Sequence, residues 1–204
     1  EQIEGNFGRD EFDRLLSLIR SILVKDKARE NILKEFEQKI YKASPPLLKK
    51  GKSTIDLVNE YARIYNYLIW FSDTPSNIPN EFKNLVLIMW YGLPSTDWIP
   101  PLLLYYKKFK HVRLLDFTRK LDNKFSSDFI NQLTPTFRIQ NMNEIMKEIE
   151  NAKDPNELLA NKKIFEVKLE QMGQMLSEEI YGRRFTKYIL LKLEFLMKSH
   201  EGIF

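Results

Sequence analysis

Apolar residues recur every three or four positions along most of this chain, the spacing that marks one face of an α-helix. Phe12, Leu15, Leu16, Ile19, Ile22 and Leu23 follow it, and Ile32, Leu33, Phe36 and Ile40 repeat it. The clearest case is Val58, Tyr61, Ala62, Tyr65, Leu68 and Ile69. Only seven Gly and nine Pro interrupt 204 residues rich in Leu, Ile, Lys, Glu and Asn, which disfavours turn-rich β architectures. The pattern predicts an all-α fold: a multi-helix globular bundle of about eight to ten helices with little or no sheet. The length suffices for one sizeable core, and no Gly/Ser linker or composition shift marks a boundary, so residues 1–204 read as a single α-helical domain.

Helix ends follow from caps and breakers. Pro45-Pro46 ends the second helix, and Ser53 is the expected N-cap of the next, with Asp56 three residues on. Pro75 and Pro79 mark a loop, after which Asn80 caps a buried helix that Gly92 ends. Ser95-Thr96-Asp97 caps another, with Pro100 and Pro101 in its first turn. Leu114, Phe117, Leu121, Phe125 and Phe129 form the apolar face of the helix after it. Pro135 breaks that helix, Asn141 is expected to open one holding Met142, Ile145, Met146 and Ile149, and Asp154-Pro155 opens a short one. Residues 162–177 are less regular and fit either a helix interrupted by Gly173 or a loop with some extended structure. In the last helix Arg183, Lys187, Glu194 and Lys198 share one narrow face, while Phe185, Tyr188, Ile189, Leu193, Phe195, Leu196 and Met197 cover the rest. So apolar a helix is expected inside a packed domain, and Trp70, Trp90 and Trp98, each among apolar residues, are expected in the core.

The net charge of +4 says little about partners, but its distribution says more. Residues 107–124 hold seven basic side chains (Lys107, Lys108, Lys110, Arg113, Arg119, Lys120, Lys124) against two acidic ones, Asp116 and Asp122. Arg113, Lys120 and Lys124 recur on a face distinct from the apolar one. Such a stripe can meet phosphate, an acidic partner or anionic lipid, and a solvated helix face is the plain alternative. Cysteine is absent, which excludes disulfides and thiolate metal sites and fits a cytoplasmic location. The apolar run at residues 85–91 is far shorter than the roughly 20 residues a membrane span requires, so no membrane role is expected. Residues 1–4 lack the features of a signal peptide.

Motifs for chemistry are weak. Gly51-Lys52-Ser53-Thr54 imitates the end of a phosphate-binding loop, but the first glycine of that motif falls at Pro46, where an amide is lost. A helix cap is the better reading. The two histidines, His111 and His200, have no metal-ligand partner at helical spacing and read as surface residues. No Gly-x-Ser-x-Gly elbow occurs, and carboxylates such as Glu178-Glu179 lie on polar helix faces. No catalytic residue is assigned.

The stretch from Arg183 through Arg184, Phe185, Thr186, Lys187, Tyr188, Ile189, Leu190, Leu191, Lys192 and Leu193 to Glu194 resembles the end of the helical region in GmrSD-like modification-dependent (type IV) restriction endonucleases. Leu47-Leu48-Lys49-Lys50-Gly51-Lys52, the segment Asn59-Glu60-Tyr61-Ala62-Arg63-Ile64-Tyr65, and Trp98-Ile99-Pro100-Pro101-Leu102-Leu103-Leu104 are similar to the same region, in the same order. The resemblance implies a parent with an N-terminal ParB-like domain that uses a nucleoside triphosphate, a helical middle, and a C-terminal HNH nuclease with a divalent metal. It also implies a role in phage defence. Neither an Asp-Gly-Gln-Gln-Arg nor a Glu-His-x-x-Pro motif is present, and the chain starts at Glu1. It therefore reads as the helical piece between two catalytic domains, itself without cofactor.

The expected function is a scaffold that orients those flanking domains and contacts DNA phosphates. The candidate contacts are Lys107, Lys108, Lys110, Arg113, Lys120 and Lys124 together with Arg183, Arg184 and Lys187. The alternative is a helical interaction module whose basic helix docks an acidic partner or a second copy, giving a homo-oligomer.

Overall fold

A computed structural model of the chain describes residues 9–72 and 78–200. Among them are ten α-helices and one π-helical stretch, and no strand. The all-α expectation holds because apolar side chains at helical spacing converge on one continuous core, from Leu15 and Ile19 through Tyr61 and Leu68 to Leu103, Phe117 and Ile145.

Helix α1 (Arg9–Val24) leads through a turn to α2 (Ile32–Glu35), which runs into a π-helical segment at Phe36–Tyr41. Asn31 caps α2 by accepting from the Lys34 amide at 3.0 Å. The α1–α2 turn is held from inside. Buried Arg20 donates to Glu35 Oε2 from Nε at 2.9 Å and Nη2 at 2.6 Å, and bonds the Asp26 carbonyl as well. Glu35 Oε1 accepts from the backbone amides of Arg29 and Glu30 at 2.9 and 3.1 Å. Desolvation pushes the Glu35 carboxyl up, but the Arg29 amide, the Arg20 guanidinium and the Glu30 amide together outweigh it and hold the carboxyl below its ordinary range.

Helix α3 spans Lys52–Ile69 and α4 Asn80–Gly92. The expected Ser53 cap of α3 is corrected: Gly51 takes the cap position, at φ 94°, a conformation that suits a residue without Cβ. Asn80 is the first residue of α4 rather than its cap, and Pro75 lies outside the described residues. Helix α5 (Ile99–Phe109) carries Pro100 and Pro101 in its first turn, where their missing amides cost nothing. Helix α6 covers Leu114–Ile130.

Helix α7 runs unbroken over Pro135–Asn151, which corrects the expected start at Asn141. Pro135 opens the helix it was expected only to precede, its fixed φ being suited to a first turn. Asn141 lies inside α7 and donates to Asp128 Oδ2 at 2.8 Å. Short α8 (Pro155–Ala160) is capped by Asp154, whose Oδ1 accepts from the Asn156 and Glu157 amides. Residues 162–177 resolve as a loop followed by helix α9 at Leu169–Ser177, with Gly173 inside it. Helix α10 spans Thr186–His200.

The tightest neighbours are α5 against α7 and α10 against α4. At the latter crossing Gly92 lets the backbones meet: a Cβ there would sit 2.8 Å from Tyr188 Cα. Asp122, fully buried on α6, accepts from the Tyr188 hydroxyl at 2.7 Å and from Lys192, tying α6 to α10. Yet α10 is not enclosed. Phe185, Tyr188 and Phe195 are buried, whereas Leu190 and Leu193 are each 52% exposed, with Leu196 and Met197 also open. Trp98 is fully buried as expected, but Trp70 is 42% exposed and packs edge-on against Trp90 at 5.2 Å.

Candidate nucleic-acid interface

The basic stripe of residues 107–124 does not stay together in three dimensions, because the α5–α6 corner splits it. Lys107, at the end of α5, reaches back to Glu60 at 2.8 Å and lies over the Tyr61 ring. Lys108 turns to the C-terminus of α7, where Nζ donates to the carbonyls of Ile149, Glu150 and Ala152 at 2.8, 2.7 and 2.7 Å. That is a helix cap, with a cation opposite the negative end of the helix. Lys124 is only 9% exposed and pairs with Asp128 at 2.9 Å. Its role on α6 is structural: its partner Asp128 is itself buried and also accepts from Asn141 of α7 at 2.8 Å.

Arg113 bonds Asp116 at 2.9 Å and the Asn156 side chain at 2.7 Å. Arg119 is chelated by Glu81 and Asp116. Lys120 rests over the Phe165 ring at 5.2 Å. In the second cluster Arg183 pairs with Glu178, Lys187 lies 5.7 Å from the Tyr91 ring, and Arg184 is exposed beside a cleft that Arg138 and Phe129 also line. Each engaged cation must release an intramolecular partner before it can serve a phosphate, which lowers its worth as a contact.

Lys110, like Lys120 and Lys187, is exposed or partly exposed and faces a ring rather than a carboxylate, here Tyr106 at 5.7 Å. The corner presenting it has two residues at positive φ, Lys110 at 55° and Arg113 at 51°, of which Arg113 is in the left-handed helical conformation. The Tyr105 hydroxyl donates to the Val112 carbonyl at 2.7 Å, and the Tyr105 ring stacks on Phe117 at 3.9 Å, so the corner is held from the core.

Around Lys110 gathers a group that spacing alone did not reveal. His111 Nε2 lies 3.3 Å from the Tyr67 hydroxyl and 3.2 Å from the Tyr106 hydroxyl. The Tyr67 and Tyr106 rings are 5.2 Å apart, and His111 meets both edge-on. Burial, aided by Tyr106, pushes the Tyr67 hydroxyl up to about 12, and burial raises Tyr106 as well. Both hydroxyls therefore remain protonated at neutral pH and can donate. They line one side of a cavity of about 350 Å³ whose other walls include Arg63, Asn66 and Ser72. Tyr67 and Tyr106 come from α3 and α5 and are far apart in sequence, so only packing makes the group visible. A faint sequence signal exists in Tyr106, Lys110 and His111, spaced as neighbours on one turn.

Among the described residues no three His, Asp or Glu side chains converge as metal ligands, and no helix is long and apolar enough to cross a membrane. A nucleotide does not fit Gly51-Lys52-Ser53-Thr54 either. The Thr54 and Ile55 amides bond the Gly51 carbonyl at 3.0 and 3.2 Å, so two donors of the turn are already used. His200 ends α10, and its side chain lies outside those described.

No protein-family model, curated protein or solved structure matches the chain.

Proposed function

We propose that this chain is a helical scaffold of a modification-dependent DNA restriction endonuclease and contacts the DNA backbone at the α5–α6 corner. The observation that carries the contact is the grouping of Lys110 and Arg63, which have no acidic partner among the described residues, with the protonated hydroxyls of Tyr67 and Tyr106. Cations neutralise phosphates, and hydroxyls donate to phosphate oxygens. Arg184 and Lys187 at the start of α10 form a second point of contact. Lys108 and Lys124 serve the fold. Nucleoside triphosphate and divalent metal belong to the flanking domains implied by the resemblance of residues 183–194, because the residues present here do not fit either.

Fluorescence anisotropy with short single- and double-stranded DNA at low salt tests the contact. Wild type is expected to bind in a salt-dependent manner. Arg63→Ala with Lys110→Ala is expected to weaken binding and to flatten the salt slope by about one for each phosphate that is no longer neutralised. Binding that the double substitution leaves untouched removes the corner from the interface. The wider reading turns on the parent reading frame: Glu-His-x-x-Pro encoded after Phe204 and a ParB-like segment before Glu1 would support it, and their absence would overturn it.

A further inference from the structure

The outward face of α10 is apolar and uncovered, with its exposed residues in one row along the helix. Leu190, Leu193 and Met197 are 52%, 52% and 65% exposed, and partly exposed Thr186 extends the row by one turn. Their offsets of three and four residues are those of a two-helix seam. The opposite face is occupied: Tyr188, Lys192 and Phe195 point to the body, where Asp122 and the α4 backbone hold them. The exposed row is therefore not a core helix seen loosely packed. It is a second apolar face, continued onto α4 by the exposed Leu87 and Tyr91.

We infer that this face pairs with the same face of a second copy of the chain, the two α10 helices running antiparallel about a two-fold axis between Leu190 and Leu193. Two features of the residues select this occupant. An antiparallel pairing that sets Leu190 against the partner's Leu193 also sets Thr186 against the partner's Met197, so every position of the row meets a member of the same row. The charges then match as well. Lys187 and Glu194 flank the row on one side, at 60° and 40° from Leu190 by the helical rotation of about 100° per residue. The same register brings Lys187 of one copy beside the partner's Glu194, twice per dimer by symmetry. A parallel pairing gives no such match, because the other flank carries Ile189 and Leu196. Neither charge is locked away: among the described residues Lys187 lies over the Tyr91 ring with no acidic partner, and Glu194 holds the exposed Lys198 one turn on.

Sedimentation equilibrium on the 204-residue chain tests the inference, with circular dichroism melts to confirm that each variant folds. Wild type is expected to be a dimer that dissociates on dilution, and Leu190→Glu with Leu193→Glu is expected to be a monomer whose cooperative melt matches that of wild type diluted to monomer, since both positions face solvent in the single copy. Lys187→Glu and Glu194→Lys, each alone, set like charges opposite one another and are expected to weaken the dimer by roughly tenfold. The double variant Lys187→Glu/Glu194→Lys restores opposite charges and is expected to recover most of the loss. A wild-type monomer throughout, a dimer indifferent to Leu190→Glu/Leu193→Glu, or a charge swap that fails to rescue would each overturn the proposal. The swap keeps the test decisive even if the glutamate pair disturbs the helix, because both of its sites are exposed and ionic.

Discussion

Helices α6 and α10 are built from similar material, aromatic and aliphatic residues interleaved with lysines, but they end in different surroundings. On α6 even polar side chains are buried: Thr118, Asp122, Lys124, Ser126, Ser127 and Asp128 all lie inside, because α4, α5 and α9 pack against it. On α10 four large apolar residues stay in solvent because α4 covers one side only, with Asp122 of α6 gripping it from below. The helix that reads as partly polar became the centre, and the helix that reads as apolar became an edge. Burial thus depends on how many neighbours reach an element, and the composition of the element does not report that number. What composition does report is the mismatch left behind: lysine and aspartate on α6 need each other, as Lys124 and Asp128 do, and leucines on α10 need a cover.

The sharpest way to break this contrast is to cut the tie between the two helices. Asp122→Ala leaves the Tyr188 hydroxyl and the Lys192 ammonium without their buried acceptor, and a loss of about 3–5 kcal/mol is expected in urea unfolding. A loss below about 1 kcal/mol would mean that α10 is held by its α4 contact alone. Gly92→Ala probes that contact. In an exposed helix the change would stabilise, but here the new Cβ meets Tyr188 Cα at 2.8 Å, and destabilisation of about 1–3 kcal/mol is expected from the thermal midpoint. A neutral result would show that α10 can slide outward freely.

A pH-dependent effect lies away from both helices and serves as their control. Glu35 is held below its ordinary 4.5, so the unfolded chain binds the proton more readily. Its contribution to stability is full above 4.5 and is lost as pH falls through the lowered folded value. Acid unfolding curves of Glu35→Gln are expected to be flatter in that window than those of wild type, and to start from a lower stability because Arg20 loses its partner. Parallel slopes in the two proteins would place the acid sensitivity elsewhere.

Periodicity alone carried much of this architecture. The apolar faces of α3 and α6 appear in the core nearly residue for residue, since a 3.6-residue repeat leaves an amphipathic helix one way to bury itself, whereas on α1 Phe12 stays exposed and Leu18, outside the expected face, is buried. Local chemistry also carried the Asp154 cap and the first-turn prolines of α5, whose causes lie within four residues. It misjudged the caps of α3, α4 and α5 and the start of α7, where the cap positions fall to Gly51, Pro79 and Trp98 and Pro135 opens the helix. The candidate interface was legible only in its charges. Which lysine would cap α7, which would be buried beside Asp128, and which would stand free at Lys110 depended on elements forty residues away or on a neighbouring helix. The same holds for the Tyr67, Tyr106 and His111 group, which joins α3 to the α5–α6 corner.

The sequence by itself determined the class of fold, the faces of most helices and the presence of excess positive charge near the α5–α6 corner. All three are local or additive properties, set by side-chain type and spacing. Tertiary structure alone decided which cations keep their charge available and which apolar face remains uncovered. Both depend on what happens to lie within a few ångströms, and that distance is set by how helices remote in sequence pack around a shared core.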